Sequence, residues 1–374
     1  MLHPTTALLK EQTASMNSVS RPPSNSPAER ILILILTYNG SRYIEDCLSS
    51  LQQITYPPDA FEILVVDNAS TDDTVTAVRR NWPGVRVVEN ERNLGFAGGN
   101  NVGLRYAIGQ GFDYVYLLNQ DTVVTPDFLT ETLAIARQDS TIGAAQSKLL
   151  LYGEKDKINT VGNELHYLGF GYAGGHRTPD RDMDVAEIAY ASGACVLLRV
   201  SALKDVGLFY EDLFLYHEDL DLGWQLRLAG YKIMLSPRSV VYHKYEFSRS
   251  SSKFYYLERN RHLLILQNYK LATLLLIAPA AVAMQFAMFI YSFFAGFWRE
   301  ELRACAYFCR PGNWKKISAR RKWVQMHRRV ADRDVVRVFT GKVEFEDLRN
   351  PLLKYVANPL FNAYWQIVRR LIRW

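Results

Sequence analysis

The sequence predicts an open α/β fold, a mostly parallel sheet with helices on both faces, followed by a C-terminal helical region that associates with a membrane. Three observations carry that prediction. Apolar runs without alternation, as in buried parallel strands, alternate with segments of helical periodicity. Polar clusters close three of those runs. Near the C-terminal third, about 28 residues from Leu271 to Trp298 carry no charge.

The chain of 374 residues holds one large domain plus an appendage. With 48% apolar and 22% charged residues it has ample material for a core. The four cysteines, Cys47, Cys195, Cys305 and Cys309, lack metal-ligand spacing and read as reduced thiols of a cytosolic domain. The net charge of +6 is unevenly placed. Lys315, Lys316, Arg320, Arg321, Lys322, Arg328 and Arg329 crowd one segment suited to an anionic surface.

Residues 1–29 are polar and rich in Ser, Pro and Thr, and read as a flexible N-terminal tail. Folding begins with the strand Ile31 to Leu36, which ends in Thr37-Tyr38-Asn39-Gly40. Ser41 is expected to cap the helix carrying Tyr43, Ile44, Cys47, Leu48 and Leu51. A second strand, Phe61 to Val66, ends in Asp67-Asn68-Ala69-Ser70. Strands at Val85 to Val88 and Tyr114 to Leu118 follow, the latter ending in Asn119-Gln120-Asp121. Ligands of such sheets bind at the carboxyl ends of strands, near the point where strand order reverses. The three polar endings are therefore one expected site.

Residues 152–190, with Gly169, Gly171, Gly174 and Gly175, read as a substrate-facing loop region. A strand at Ala194 to Leu198, a helix within Leu213 to Gly230, and strands near Ile233 and at Val240 to Tyr242 complete a domain of residues 30–250. Residues 251–374 form the membrane-associated region. Both flanks of Leu271–Trp298 are basic, so this stretch is expected as a re-entrant or interfacial pair broken near Pro279, both ends cytoplasmic. The terminal stretch from Tyr364 to Trp374 is amphipathic and aromatic, as at an interface. Lipid fits this surface better than nucleic acid does.

Several clusters offer chemistry. Asp67 can accept from a base or ribose, or cap a turn. Asn93-Leu94-Gly95-Phe96-Ala97-Gly98-Gly99-Asn100 is a glycine-rich turn whose N–H groups can approach phosphate or sugar, though it lacks the dinucleotide order G-x-G-x-x-G. Asp121 offers hard oxygen to Mg²⁺ or Mn²⁺. In His217-Glu218-Asp219-Leu220-Asp221 the carboxylates occupy the first turn of a helix, where the dipole favours anions. Glu218 and Asp221 can share a face, and Asp219 faces elsewhere.

Taken in order, Thr37-Tyr38-Asn39, Val65 to Asp72, Asn93 to Asn100, Asn119-Gln120-Asp121 and His217 to Asp221 resemble glycosyltransferase family 2, with the GT-A fold, and in particular its bacterial rhamnosyltransferase-type members. The resemblance implies a nucleotide-sugar donor, dTDP-rhamnose-like or UDP-linked, and a glycan or lipid-linked acceptor in cell-surface polysaccharide assembly. It implies inverting transfer with Asp219 as catalytic base supported by Glu218. Thr37, Tyr38, Asn39, Asp67, Asn68, Asn93, Gly95, Gly98, Asn100, Asn119 and Asp221 become substrate-binding candidates. Asp121 and His243 become the ligands of a divalent cation. The first position of the D-x-D element is Asn119, which removes one charge near that cation. The expected location is the cytoplasmic face of the cell membrane. A nucleotidyltransferase is the alternative, but Thr37-Tyr38-Asn39 stands where its basic phosphate loop would be. An inactive membrane scaffold would have no use for Glu218-Asp219.

Overall fold

The computed structural model describes residues 29–245, 251–343, 351 and 353–374, so the expected N-terminal tail lies outside the described residues except for Glu29. The first half alternates β1 (Ile31–Thr37), α1 (Ile44–Leu51), β2 (Phe61–Asp67), α2 (Thr74–Asn81), β3 (Arg86–Glu89), α3 (Gly95–Gly109) and β4 (Tyr114–Asn119). A short β5 (Thr122–Val124) and α4 (Phe128–Ala136) lead to the long β6 (Ile142–Leu151). The main sheet continues through β10 (Ala186–Glu187), β11 (Cys195–Arg199) and β12 (Lys232–His243).

Strands run in the order β10-β12-β6-β11-β4-β1-β2-β3, with β5 on β12. The pairs β1–β2, β1–β4, β2–β3 and β6–β12 are parallel, while β11 is antiparallel to both neighbours. The sheet is thus mixed: the half β4-β1-β2-β3 is parallel as predicted, while β11, β10 and β5 pair antiparallel. Ile31, Ile33 and Ile35 pack to one side and Leu32 and Leu34 to the other, all fully buried. Burial on both faces explains the unbroken apolar run. The strand order reverses at β1, whose neighbours are β2 and β4, and register sets Thr37 beside Asp67 and Leu36 beside Asn119. Three polar strand ends meet there.

Several local expectations need correction. The helix α1 starts at Ile44, and Ser41 donates its N–H to Asp72 instead of capping it. The expected strands at Ile233 and Val240 are one strand, β12, irregular between Ser236 and Val240. Residues 152–190 hold β7 (Ile158–Thr160), β8 (Asn163–His166) and β9 (Gly171–Ala173) rather than an open loop. Their glycines serve packing: a Cβ on Gly171 would lie 2.3 Å from the Tyr190 hydroxyl.

After α5 (Val200–Val206) and α6 (Glu218–Leu228), the C-terminal region contributes α7 (Ser251–Asn268), α8 (Leu271–Ala295), α9 (Trp298–Phe308), α10 (Pro311–His327), α11 (Asp332–Val335), β13 (Phe339–Thr340) and α12 (Asn358–Leu371). It is not a separate core. Leu165, Tyr167 and Trp224 share one apolar cluster with Leu264, Val324, Phe339 and Trp365, and β13 pairs with β8.

The helix α8 runs unbroken through Pro279, so the expected break is absent. Pro279 lies on the outer face, where its missing N–H disturbs no packed neighbour. At about 37 Å the helix is long enough to cross a bilayer. Its contacts, however, bind it lengthwise to the body. Gln285 accepts from His262 and Arg261, the Tyr364 hydroxyl donates to the Leu276 carbonyl, and Trp374 Nε1 donates to Thr273. The opposite face exposes Leu271, Leu275, Val282, Phe286 and Phe293 at helical spacing.

Candidate active site

At the end of β1, Thr37 Oγ1 donates to Asp67 Oδ1 at 2.9 Å, and the Ser70 N–H donates to Asp67 Oδ2 at 2.8 Å. Asp67 is 2% exposed and thereby fixed at the strand edge. Asn39 takes a left-handed backbone (φ 48°) and accepts the Thr71 N–H at 2.8 Å, closing the β1 turn onto the β2 turn. Tyr38 is half exposed, and its N–H donates to Gln120 Oε1, which ties both turns to the β4 end.

The glycine-rich segment is held from below. Asn68 donates to Asn93 Oδ1 and the Gly95 carbonyl, and accepts from the Leu94 N–H and Asn90. That uses the full amide, so Asn68 shapes the loop rather than presenting itself to a ligand. Asn93 accepts the Gly95 N–H, and Asn100 donates to the Phe96 carbonyl one turn back. Asn68 and Asn100, expected as substrate contacts, are each 2% exposed and spend their side chains on this segment. Gly95 has φ +73°, and a Cβ there would lie 2.3 Å from the Phe214 carbonyl. Gly98 packs against Leu94.

Asp121 follows β4, and the antiparallel β5–β12 pairing brings His243 opposite Thr122. The His243 Nε2 atom lies 3.3 Å from Asp121 Oδ1, and its Nδ1 lies 2.9 Å from Asn159 Oδ1. With Nδ1 held by the amide oxygen, Nε2 is the ring nitrogen directed at the carboxylate, the orientation in which a histidine can share a cation with it. One carboxylate and one imidazole suit a cation that completes its shell with water and phosphate oxygens. Among the described residues no group of three such side chains stands together. The Asn119 N–H donates to the Ala194 carbonyl, which fixes its backbone at this edge.

The catalytic candidates sit after an unusual loop. Phe214, Tyr216 and His217 all have left-handed φ angles of 63–68°. Such strain in bulky residues persists only where surroundings impose it. Asn260 supplies that restraint, donating to the Leu213, Leu215 and Tyr216 carbonyls. Asp219 then opens α6. Its Oδ1 accepts the Leu220 N–H at 2.8 Å, and its Oδ2 the Gly193 N–H at 3.2 Å. Burial raises its pKa to about 6, and these N–H groups oppose the rise. Burial, with the neighbouring Asp219 charge, pushes Glu218 well above the carboxylate range. Glu218 is 5% exposed, and among the described residues its Oε2 has no hydrogen-bond partner.

Gly193 and Ala194 join the two halves. Gly193 holds Asp219 while Ala194 holds Asn119, and a Cβ on Gly193 would touch the Phe96 ring at 3.0 Å. The base candidate, the β4 end and the glycine-rich segment therefore converge on two adjacent residues.

Asp221 departs from expectation. It is 1% exposed and spends its carboxylate on Arg320 (3.0 Å), Gln225 and Asn268. It fastens α6 to α10 and α7. The sequence reading also missed Gly193 and Asn159, and placed Arg320 on an anionic surface instead of against Asp221. Only a Ser-Gly before the β11 strand hinted at the first. The basic segment is likewise partly internal, with Arg321 donating to the Leu266 and Tyr269 carbonyls and Arg328 paired with Asp332.

Residues 32–207 match the profile of Glycosyl transferase family 2. Poly-beta-1,6-N-acetyl-D-glucosamine synthase of Staphylococcus epidermidis is 29% identical over 221 residues, covering 57% of this chain and 50% of that enzyme. The chain thus spans half the length of the curated relatives it matches. Among solved structures, GalNAc-T7 with UDP, GalNAc and Mn²⁺ aligns with a TM-score of 0.54 at 15% identity, over 71% of this chain and 57% of that one. TarS residues 1–349 from S. aureus, in complex with UDP, aligns with a TM-score of 0.50 at 20% identity, over 92% and 91%. These similarities show the GT-A fold.

Proposed function

We propose, for a chain whose residues 32–207 match the profile of glycosyl transferase family 2, that the site transfers a sugar from a pyrimidine nucleoside diphosphate to a hydroxyl acceptor by single displacement. The observation that carries this reading is the convergence of Asp219 and the β4 end on Gly193-Ala194.

Asp219 accepts the proton of the acceptor hydroxyl. The acceptor oxygen attacks the anomeric carbon, the bond from that carbon to the diphosphate breaks, and the anomeric configuration inverts. The rise of the Asp219 pKa to about 6 brings the base nearer neutrality while leaving it ionised at pH 7. Burial and the neighbouring Asp219 charge both disfavour a charge on Glu218 behind it. Asp67 and the β1 turn hold the nucleoside, and the segment from Asn93 to Gly98 shapes the donor cleft. A divalent cation held by Asp121 and His243 would offset charge on the departing diphosphate.

The matched enzymes favour a UDP-linked donor over the dTDP-rhamnose-like one, since two solved neighbours carry UDP. A glycan or lipid-linked acceptor at the cytoplasmic face of the membrane fits the α8 surface. Its outer apolar face, with Leu360, Ile367 and Leu371 exposed on α12 beside it, suits a helix lying in the interface. A spanning pose would carry the buried Glu258–Arg261 pair, bonded through Gln285 to α8, into hydrocarbon. Titration of the purified protein with UDP- and dTDP-sugars in Mn²⁺ tests the donor assignment. Binding of a UDP-sugar that weakens in chelator is expected, and indifference to both nucleotides would remove the proposal.

A further inference from the structure

Between α7 and α9 lies a cavity of about 130 Å³, lined by Tyr255, Arg303, Ala306, Tyr307 and Arg310. A single water needs only about 10–15 Å³, so the space admits a larger polar group. Its chemistry is one-sided. The Arg303 guanidinium lies 4.9 Å from the Tyr255 ring centre. Arg259, 7% exposed, lies over the same ring at 5.3 Å and over Tyr307 at 5.4 Å. No carboxylate lines the cavity, and among the described residues Arg303 and Arg310 have no acidic partner. Ring faces attract cations but do not neutralise them. Arg259 and Arg303 share the tyrosine rings and Arg310 lines the same cavity, so positive charge outweighs the one carboxylate nearby, Asp212, and favours an added anion.

The cavity is tied to two places. Arg259 donates to the Asp212 and Leu213 carbonyls, at the start of the strained loop before Asp219, and Tyr256 stacks on Phe214, which covers Gly95. On its other side, Phe254 stacks on Phe297 at the α8–α9 corner, where Phe293, Phe294, Trp298 and Leu302 are exposed. An anion here would sit between the catalytic loop and the apolar face.

We propose that this cavity binds the phosphate of an anionic lipid, with its chain along the exposed aromatics of the α8–α9 corner. Arginine fits a phosphate through paired N–H donors, and the tyrosine hydroxyls add two more. This site rests on the membrane reading for the lipid's chain, but its phosphate chemistry stands apart from transfer.

The test uses the full chain, wild type and R303Q/R310Q. Calorimetry with short-chain, water-soluble phosphatidic acid reads the cavity without a membrane. Flotation with phosphatidylcholine vesicles containing either phosphatidic acid or phosphatidylserine reads the lipid source. Wild type should bind the soluble lipid phosphate and prefer phosphatidic acid vesicles, and the variant should lose about tenfold or more in both, the effect of one lost charged pairing. UDP-sugar binding by the variant should be unchanged, which shows that it is folded. Wild type indifferent to soluble phosphatidic acid, or equal binding by the variant, would overturn the site. Soluble binding matched by inorganic phosphate would overturn the lipid assignment. Soluble binding with no vesicle binding would instead overturn the membrane reading.

Discussion

Replacing Asp219 with Asn removes the base while keeping a side chain of equal size, and its consequences can be worked from the structure. Both hydrogen bonds to Asp219 come from backbone N–H groups of Leu220 and Gly193, and an amide oxygen can still accept one of them. The site should therefore keep its shape. Removal of a positioned base lowers turnover by about 10²–10⁴-fold. Raising the carboxyl from its ordinary 3.8 to about 6 disfavours its ionised state by about 3 kcal/mol. Because the folded pKa is the higher one, the native state binds the extra proton, and stability falls as pH rises from about 4 to 6. The substitution abolishes that loss, so D219N should be more stable than wild type above pH 6, by at most about 3 kcal/mol. Wild-type turnover should climb roughly tenfold between pH 5 and 7 as the base ionises, while the residual activity of D219N stays flat. Nucleotide-release kinetics, thermal melts and donor titration at several pH values check all three. A variant that loses donor affinity as much as turnover, or that melts lower at pH 7, would refute the assignment.

Other outcomes follow from neighbouring geometry. Asp121→Ala should weaken UDP-sugar binding about tenfold or more in Mn²⁺ and leave it unchanged in chelator, read by calorimetry in both buffers. Arg320→Gln strands the Asp221 carboxylate and should cost about 3–5 kcal/mol by denaturant melts, with R320Q/D221N recovering much of the loss. Gly95→Ala meets both the positive φ and the Phe214 carbonyl, so it should cost at least about 1–2 kcal/mol and lower donor affinity.

The sheet was legible because burial on both faces leaves a plain signature: Ile31 to Leu36 can be nothing but a covered strand. The polar strand ends were legible for the same reason, being breaks in otherwise apolar runs. Asp219 was distinguishable from Asp221 only in part. Helical spacing separates their faces, but it does not reveal that Arg320, 99 residues away, takes the Asp221 charge. Long-range partners of this kind leave no local pattern. The same holds for Gly193, whose role comes from a backbone N–H, and for Asn159, which orients His243 from 84 residues away. The α8 helix shows the limit of composition. Its uncharged length resembles a membrane span, yet the residues that bind it to the body, Thr273 and Gln285, are a small polar minority on one face. Pro279 suggested a break, but one unpaired carbonyl on an outer face is tolerated.

In this mechanism Asp219 faces a donor held at the ends of β1, β2 and β4. A crystal structure with UDP-sugar and Mn²⁺ tests it most directly. The account predicts the cation on Asp121 and His243, the nucleoside beside Asp67, and the Asp219 carboxylate on the side of the anomeric carbon opposite the diphosphate. A nucleotide bound away from these strand ends, or Asp219 turned from the sugar, would contradict it.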